Sequence, residues 1–127
     1  SNIVGRGEIK RETFLGAICR EARNGEVCLQ SKASSAKDYL WIDDAVRVLA
    51  EMSRSDTIGI VNVASGRQTT HFEWAKAICA EKGAILSFQP NAVETIFPPI
   101  DTRRMVDLFG PPTVEPLTKV QSLFANV

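Results

Sequence analysis

The side chains best equipped for chemistry fall in one run, "AKDYLWIDDAVRVL", where Lys37, Asp38 and Tyr39 set a cation, an acid and an aromatic side by side and Asp43 and Asp44 follow as a pair of acids. A lysine in such a run is a point positive charge suited to a phosphate; it reads equally as an exposed loop lysine. The two acids open an apolar helical pattern. Adjacent helix positions point about 100° apart, so these carboxylates do not share a proton as a catalytic dyad does. Asp43 is predicted to be the N-cap, with Asp44 adding negative charge to the first turn. The only histidine, His71, stands next to Thr70 at another helix start, where a solvated or capping role is expected rather than that of a base or ligand.

Other routes to catalysis find no residues. Cys19, Cys28 and Cys79 are odd in number, widely spaced and set among apolar neighbours, the pattern of buried free thiols in a reducing compartment. No cysteine pair has metal-ligand spacing and no second imidazole exists, so no metal is expected. No serine lies in a nucleophile elbow. "VGRGE" and "ASGR" are neither a P-loop nor a dinucleotide fingerprint. No catalytic residue is assigned, and the residues alone describe a binding or structural domain.

The elements that must position these side chains alternate between strand and helix. Helices are expected over 11 to 23, 43 to 54, 71 to 82, 101 to 109 and 115 to 125. In the first, Phe14, Ile18 and Ala22 share a face; in the second, Ala45, Val46, Leu49 and Met52 do; in the third, Phe72, Ala75, Ile78 and Cys79 do. Thr70 with Glu73 forms a capping box, and Gly83 closes that helix. Asp101 is the predicted cap of the fourth. In the last, Leu117, Val120 and Phe124 face inward. Strands are expected at "EVCLQ", "DYLWI", "GIVNVASG" and "AILSFQP". The class is α/β.

Composition bounds the function. The chain has 127 residues, 44% of them hydrophobic, enough for one core and a single domain over 1–127. Fifteen basic and fifteen acidic residues cancel and are interspersed, which argues against nucleic acid or a membrane surface as partner. No stretch approaches the ~20 apolar residues of a membrane span, and no leader pattern precedes a cleavage site, so a cytoplasmic protein is expected.

The order "SNIVG", helix, "GEVCLQ", "AKDYLWIDDAVRVL", "IVNVASGRQTTHFEWAKAI", "FPPIDTRRMVDLFG" resembles, over essentially the whole chain, the C-terminal part of NAD-dependent epimerase/dehydratases of the extended short-chain dehydrogenase/reductase family. The resemblance implies a partial Rossmann-like fold, a substrate-binding region of short strands packed by about five helices. It also implies that NAD belongs to the parent, since the glycine fingerprint and the Tyr-x-x-x-Lys pair of the N-terminal domain have no counterpart here. By position, the backbone of Ser1 would lie near the nicotinamide. The amide of Asn2 would meet the diphosphate of a nucleotide sugar, and Lys37, replacing the family's arginine, a phosphate. The main chain of Val27, Cys28 and Leu29 would hold the base. Asp38 and Tyr39 are expected to anchor the turn, and Asn62 to satisfy backbone around "ASG". Arg103 and Arg104 fall inside a helix, so the arginine many members use near "FPPID" has no counterpart. The expected function is the nucleotide-sugar-binding half of an NAD-dependent epimerase or dehydratase, inactive alone, whose partner is the N-terminal domain. The other reading is a self-associating module without ligand.

Overall fold

The computed structural model describes residues 1–126. Thr13 accepts the Gly16 amide at 3.0 Å and opens helix α1, Phe14–Arg23, whose Leu15, Ile18, Cys19 and Ala22 are buried at helical spacing. Gly16 is required there, because a Cβ would lie 2.1 Å from the carbonyl oxygen of Arg11. Helix α3, His71–Lys82, carries the predicted capping box between Thr70 and Glu73 and ends at Gly83, whose φ of 65° suits a left-handed cap.

Two small sheets lie beside these helices. Strand β1, Asn2–Val4, runs parallel to β3, Ala36–Trp41, and β4, Gln68–Thr70, pairs antiparallel with β3 on its other side. Strand β2, Glu26–Leu29, pairs parallel with β5, Ile85–Phe88. Helices α2, Ile42–Ser53, α4, Arg103–Phe109, and α5, Val120–Leu123, complete an α/β architecture of five helices among the described residues. One core joins the layers: Ile18 and Cys19 of α1, Val27 and Leu29 of β2, Tyr39 and Trp41 of β3, Trp74 and Ile78 of α3 and Leu123 of α5.

Several expectations are corrected. Helix α2 begins one residue early, with Trp41 at the cap position and no side-chain cap. Asp43 instead accepts Arg6 and the Trp41 indole N–H. Asp44, 2% exposed, accepts the amides of Thr113 and Val114 and the Thr113 hydroxyl. Capping therefore explains neither carboxylate. The buried face of α2 holds Asp44, Ala45 and Val48, while Val46 and Leu49 face solvent.

The expected strand "GIVNVASG" does not form. The Arg104 guanidinium takes the carbonyls of Ile58 at 2.6 Å and Ile60 at 2.9 Å, and Asn62 donates to the carbonyl of Asp101, not around "ASG". Side chains occupy the edge where a ladder partner would sit. Phe72 is exposed and His71 takes the buried place in its helix. Thr102, not Asp101, is the cap position of α4, although the Asp101 carboxylate still accepts the Arg103 amide. The last helix is split into a 3-10 turn, Pro116–Lys119, and the short α5.

Candidate functional site

Strand register builds the site. Pairing of Asn2 with Tyr39 sets Ser1 and Asn2 beside Asp38, and antiparallel pairing of Asp38 with Gln68 brings β4 to the same place. Asp38 is 5% exposed. It accepts the Ser1 hydroxyl at 2.5 Å and the amides of Ser65 and Gly66 at 2.9 and 2.8 Å. It thus anchors the "ASG" turn as expected. Gly66 has a φ of 77°, and a Cβ there would lie 2.6 Å from the Thr102 hydroxyl, so the turn admits only glycine. Three donors spread the carboxylate's charge, and the site is not simply acidic.

A third wall comes from the irregular segment after β5. The Ala36 amide donates to Thr95, the Ser35 hydroxyl accepts the Thr95 amide, and Gln68 donates to the carbonyl of Phe97 at 2.5 Å. Together these enclose a cavity of about 350 Å³ lined by Ser1, Asn2, Lys37, Asp38 and Gln68 on one side and Phe97, Pro98 and Ile100 on the other. Lys37 holds its ammonium 5.3 Å from the centre of the Phe97 ring, a cation over an aromatic face. Among the described residues no carboxylate pairs with it. One amide hydrogen of Asn2 is engaged, donating to the Asp38 carbonyl at 3.2 Å.

The other predicted contacts lie elsewhere. Val27 and Leu29 point into the core, and Cys28 is half-buried. The Cys28 amide donates to Glu21 at 3.1 Å, its carbonyl accepts Gln30 at 3.2 Å, and the Leu29 carbonyl accepts the Gln89 amide. These main-chain groups already have partners within the chain, and none of the three residues lines the cavity. Sequence reading missed Gln68, Phe97, Pro98 and Ile100. For the last three the signal is the aromatic and proline content of "FPPI"; Gln68 carries none, since only its pairing with Asp38 brings it here.

His71 is 4% exposed, stacks on Phe14 at 4.0 Å and shares a 2.5 Å hydrogen bond with Ser31 through Nδ1, while Nε2 is buried without a partner. Burial, aided by the nearby charge of Lys37, pushes its pKa down to about 4. The neutral ring pins the Ser31 loop to α3 and corrects the expectation of a solvated or capping side chain. Cys19 and Cys79 are buried free thiols, and burial pushes Cys19 up to about 12, so it is inert. Among the described residues no three His, Cys, Asp or Glu groups converge as metal ligands, and no helix is long and apolar enough to cross a membrane.

This arrangement of short mixed strands and five helices is the fold found within NAD-dependent epimerases and dehydratases, and nearly the whole chain superposes on less than half of each, consistent with their C-terminal part. An epimerase from the methanogen Methanothermobacter thermautotrophicus matches at 20% identity with a TM-score of 0.77, covering 97% of this chain and 40% of that one. An NAD-dependent NDP-hexosamine 5,6-dehydratase involved in tunicamycin biosynthesis matches at 19% and 0.79, covering 97% and 42%. The UDP-glucose 4-epimerase of Thermotoga maritima, solved with UDP-glucose, matches at 17% and 0.74, covering 97% and 42%. The chain thus spans about two fifths of the length of these structures. No family model and no curated protein matches the sequence.

Proposed function

We propose that the chain is the nucleotide-sugar-binding half of an NAD-dependent sugar epimerase or dehydratase and has no turnover by itself. The observation that carries this reading is the cavity between β1, β3, β4 and the 97–100 segment, which collects Ser1, Asn2 and Lys37 from separate parts of the chain. Its concave shape, apolar wall and single unpaired cation suit a ligand with a phosphate and a ring. Lys37 meets a phosphate oxygen as a point charge, Asn2 and Gln68 orient neighbouring oxygens, and Phe97 covers an apolar face. Ser1 sits at the cavity edge where the nicotinamide of the parent would approach. The base would reach Val27, Cys28 and Leu29, outside the cavity, by displacing partners that their main-chain groups already hold.

The residues of this chain do not supply the tyrosine–lysine pair that proton transfer beside NAD would use. Tyr39, the only tyrosine, is 5% exposed and packs edge-on against Trp74 at 5.3 Å, and burial raises its pKa. The residue four positions on is Asp43, not a lysine. The single domain 1–127 acts as a ligand-binding unit. Equilibrium dialysis against UDP-glucose, glucose and UMP tests the reading. The expected result is binding of UDP-glucose near ~1 mM, about 4 kcal/mol, weakened several-fold in Lys37→Ala, with glucose alone unbound. Equal binding by wild type and Lys37→Ala contradicts it, as does product formation when NAD is added.

A further inference from the structure

The 93–100 segment forms the far wall of the cavity and is held by few hydrogen bonds. The Lys32 amide donates to the Val93 carbonyl at 3.1 Å, and Ile96 makes an isolated parallel bridge with Ala36. Past that bridge Pro98 and Pro99 have no N–H to offer, and the Asp101 carbonyl is the next group tied to the body, taken by Asn62 at 3.0 Å. Between these two ties, among the described residues, stands one hydrogen bond: the Gln68 amide donates to the Phe97 carbonyl at 2.5 Å. Two successive prolines also disfavour helical backbone at Phe97 and Pro98, so 97–99 is a stiff plate that moves as a unit. Where Gln68 holds its leading end, the Phe97 ring follows.

We propose that Gln68 is the positioning residue of the cavity: it seats the Phe97 ring, and through the ring the Lys37 ammonium, where an anionic group is received. The base on which Gln68 stands is fixed. Strand β4 pairs it with Asp38, whose buried carboxylate accepts the Ser65 and Gly66 amides just upstream. Alternation along the strand turns Gln68 to the cavity and Arg67 and Thr69 away from it. The Phe97 carbonyl can only accept, so the nitrogen of the Gln68 amide must face it. Lys37 is held by no carboxylate among the described residues, and its ammonium lies 5.3 Å from the ring centre. Displacing the ring removes the surface on which this long side chain rests, and the ammonium then turns into solvent. Gln68 therefore acts on anion recognition through two links, the carbonyl of Phe97 and its ring.

The effect on affinity rests on the ligand-binding reading, whereas the seat is a property of the free protein and is measured without ligand. Side-chain nuclear magnetic resonance of Lys37 reads it, because the ring current of Phe97 shifts the ε-methylene protons. Phe97→Ala supplies their position without the ring. Gln68→Met keeps the length of the side chain and removes its amide. In that variant the Lys37 protons are expected to move toward the Phe97→Ala position, while the Ser65 and Gly66 amides, bonded to Asp38, stay as in wild type. Titration with UDP-glucose adds the second arm. Gln68→Met should weaken binding by about fivefold, the loss of one hydrogen bond. Combined with Phe97→Ala it should weaken binding by less than the product of the two single effects, since both remove the same seat.

Lys37 protons that stay in place in Gln68→Met overturn the proposal, and so does a Phe97→Ala variant that leaves them unmoved. Losses of affinity that simply multiply overturn it as well, because Gln68 then acts without Phe97. Failure of UDP-glucose to bind wild type counts against the ligand reading alone, and the Lys37 shifts still decide the seat.

Discussion

Both carboxylate oxygens of Asp44 accept hydrogen bonds from the 113–114 segment, and Arg47 stands 3.7 Å away. This one side chain ties α2 to a loop about seventy residues on in the sequence. Asp44→Ala would leave two amides without a partner in a buried place, at a cost of about 2–4 kcal/mol. The check is the urea midpoint, and a loss below ~1 kcal/mol would show that water replaces the carboxylate. His71 gives the second prediction at this scale. Its folded pKa of about 4 lies below the usual 6.5, so the unfolded chain binds the extra proton first. Stability from this group is present above pH 6.5 and is lost as pH falls from 6.5 to 4, by on the order of 2–3 kcal/mol. Urea unfolding at pH 7 and pH 4.5 should therefore differ more for wild type than for His71→Gln. Equal slopes with pH would place the ring in water. Neither role was legible in the sequence. Residue type and position near a helix start suggest capping for both, whereas the partners, Thr113 and Ser31, are 69 and 40 residues away.

At the scale of elements, local chemistry decided some boundaries and tertiary contacts others. The capping box at Thr70 was readable because its two members are three residues apart and need nothing else. Thr70→Ala should cost about 1 kcal/mol in the urea midpoint. It should also loosen the Gln68–Thr70 strand that borders the cavity, seen as faster amide exchange there. An unchanged midpoint would mean that Glu73 and β-pairing suffice. The segment after α2 departs from its expected strand for the opposite reason. Branched residues from Ile58 to Val63 have the composition of a strand, but a strand is defined by its ladder, and Arg104 had taken two of its carbonyls. Likewise the periodicity of α2 revealed an apolar stripe without revealing which of two stripes the core takes. The inner one follows from Asp44, whose partners lie within the fold. The cavity depends on the same kind of fact: of its strands only β3 is legible, in "DYLWI", while the three-residue strands β1 and β4, their order, and the seating of Phe97 over Lys37 arise only from pairing.

Considered whole, the molecule places a small cavity at the edge of a sheet whose first strand has one neighbour, while a second apolar face lies open on α2. Contacts to a phosphate contribute ~1.5–3 kcal/mol each when shielded and much less when wet, which is why only millimolar binding is expected. The central claim is that a nucleotide sugar enters this cavity and touches Asn2 and Lys37. Residue-resolved 1H–15N chemical-shift mapping during titration with UDP-glucose tests it most directly. The account predicts saturating shifts at Asn2, Lys37, Gln68 and Phe97, extending to Val27, Cys28 and Leu29 as the base is held, all diminished in Lys37→Ala. Saturable shifts clustered away from these residues, or micromolar binding unchanged by Lys37→Ala, would contradict it.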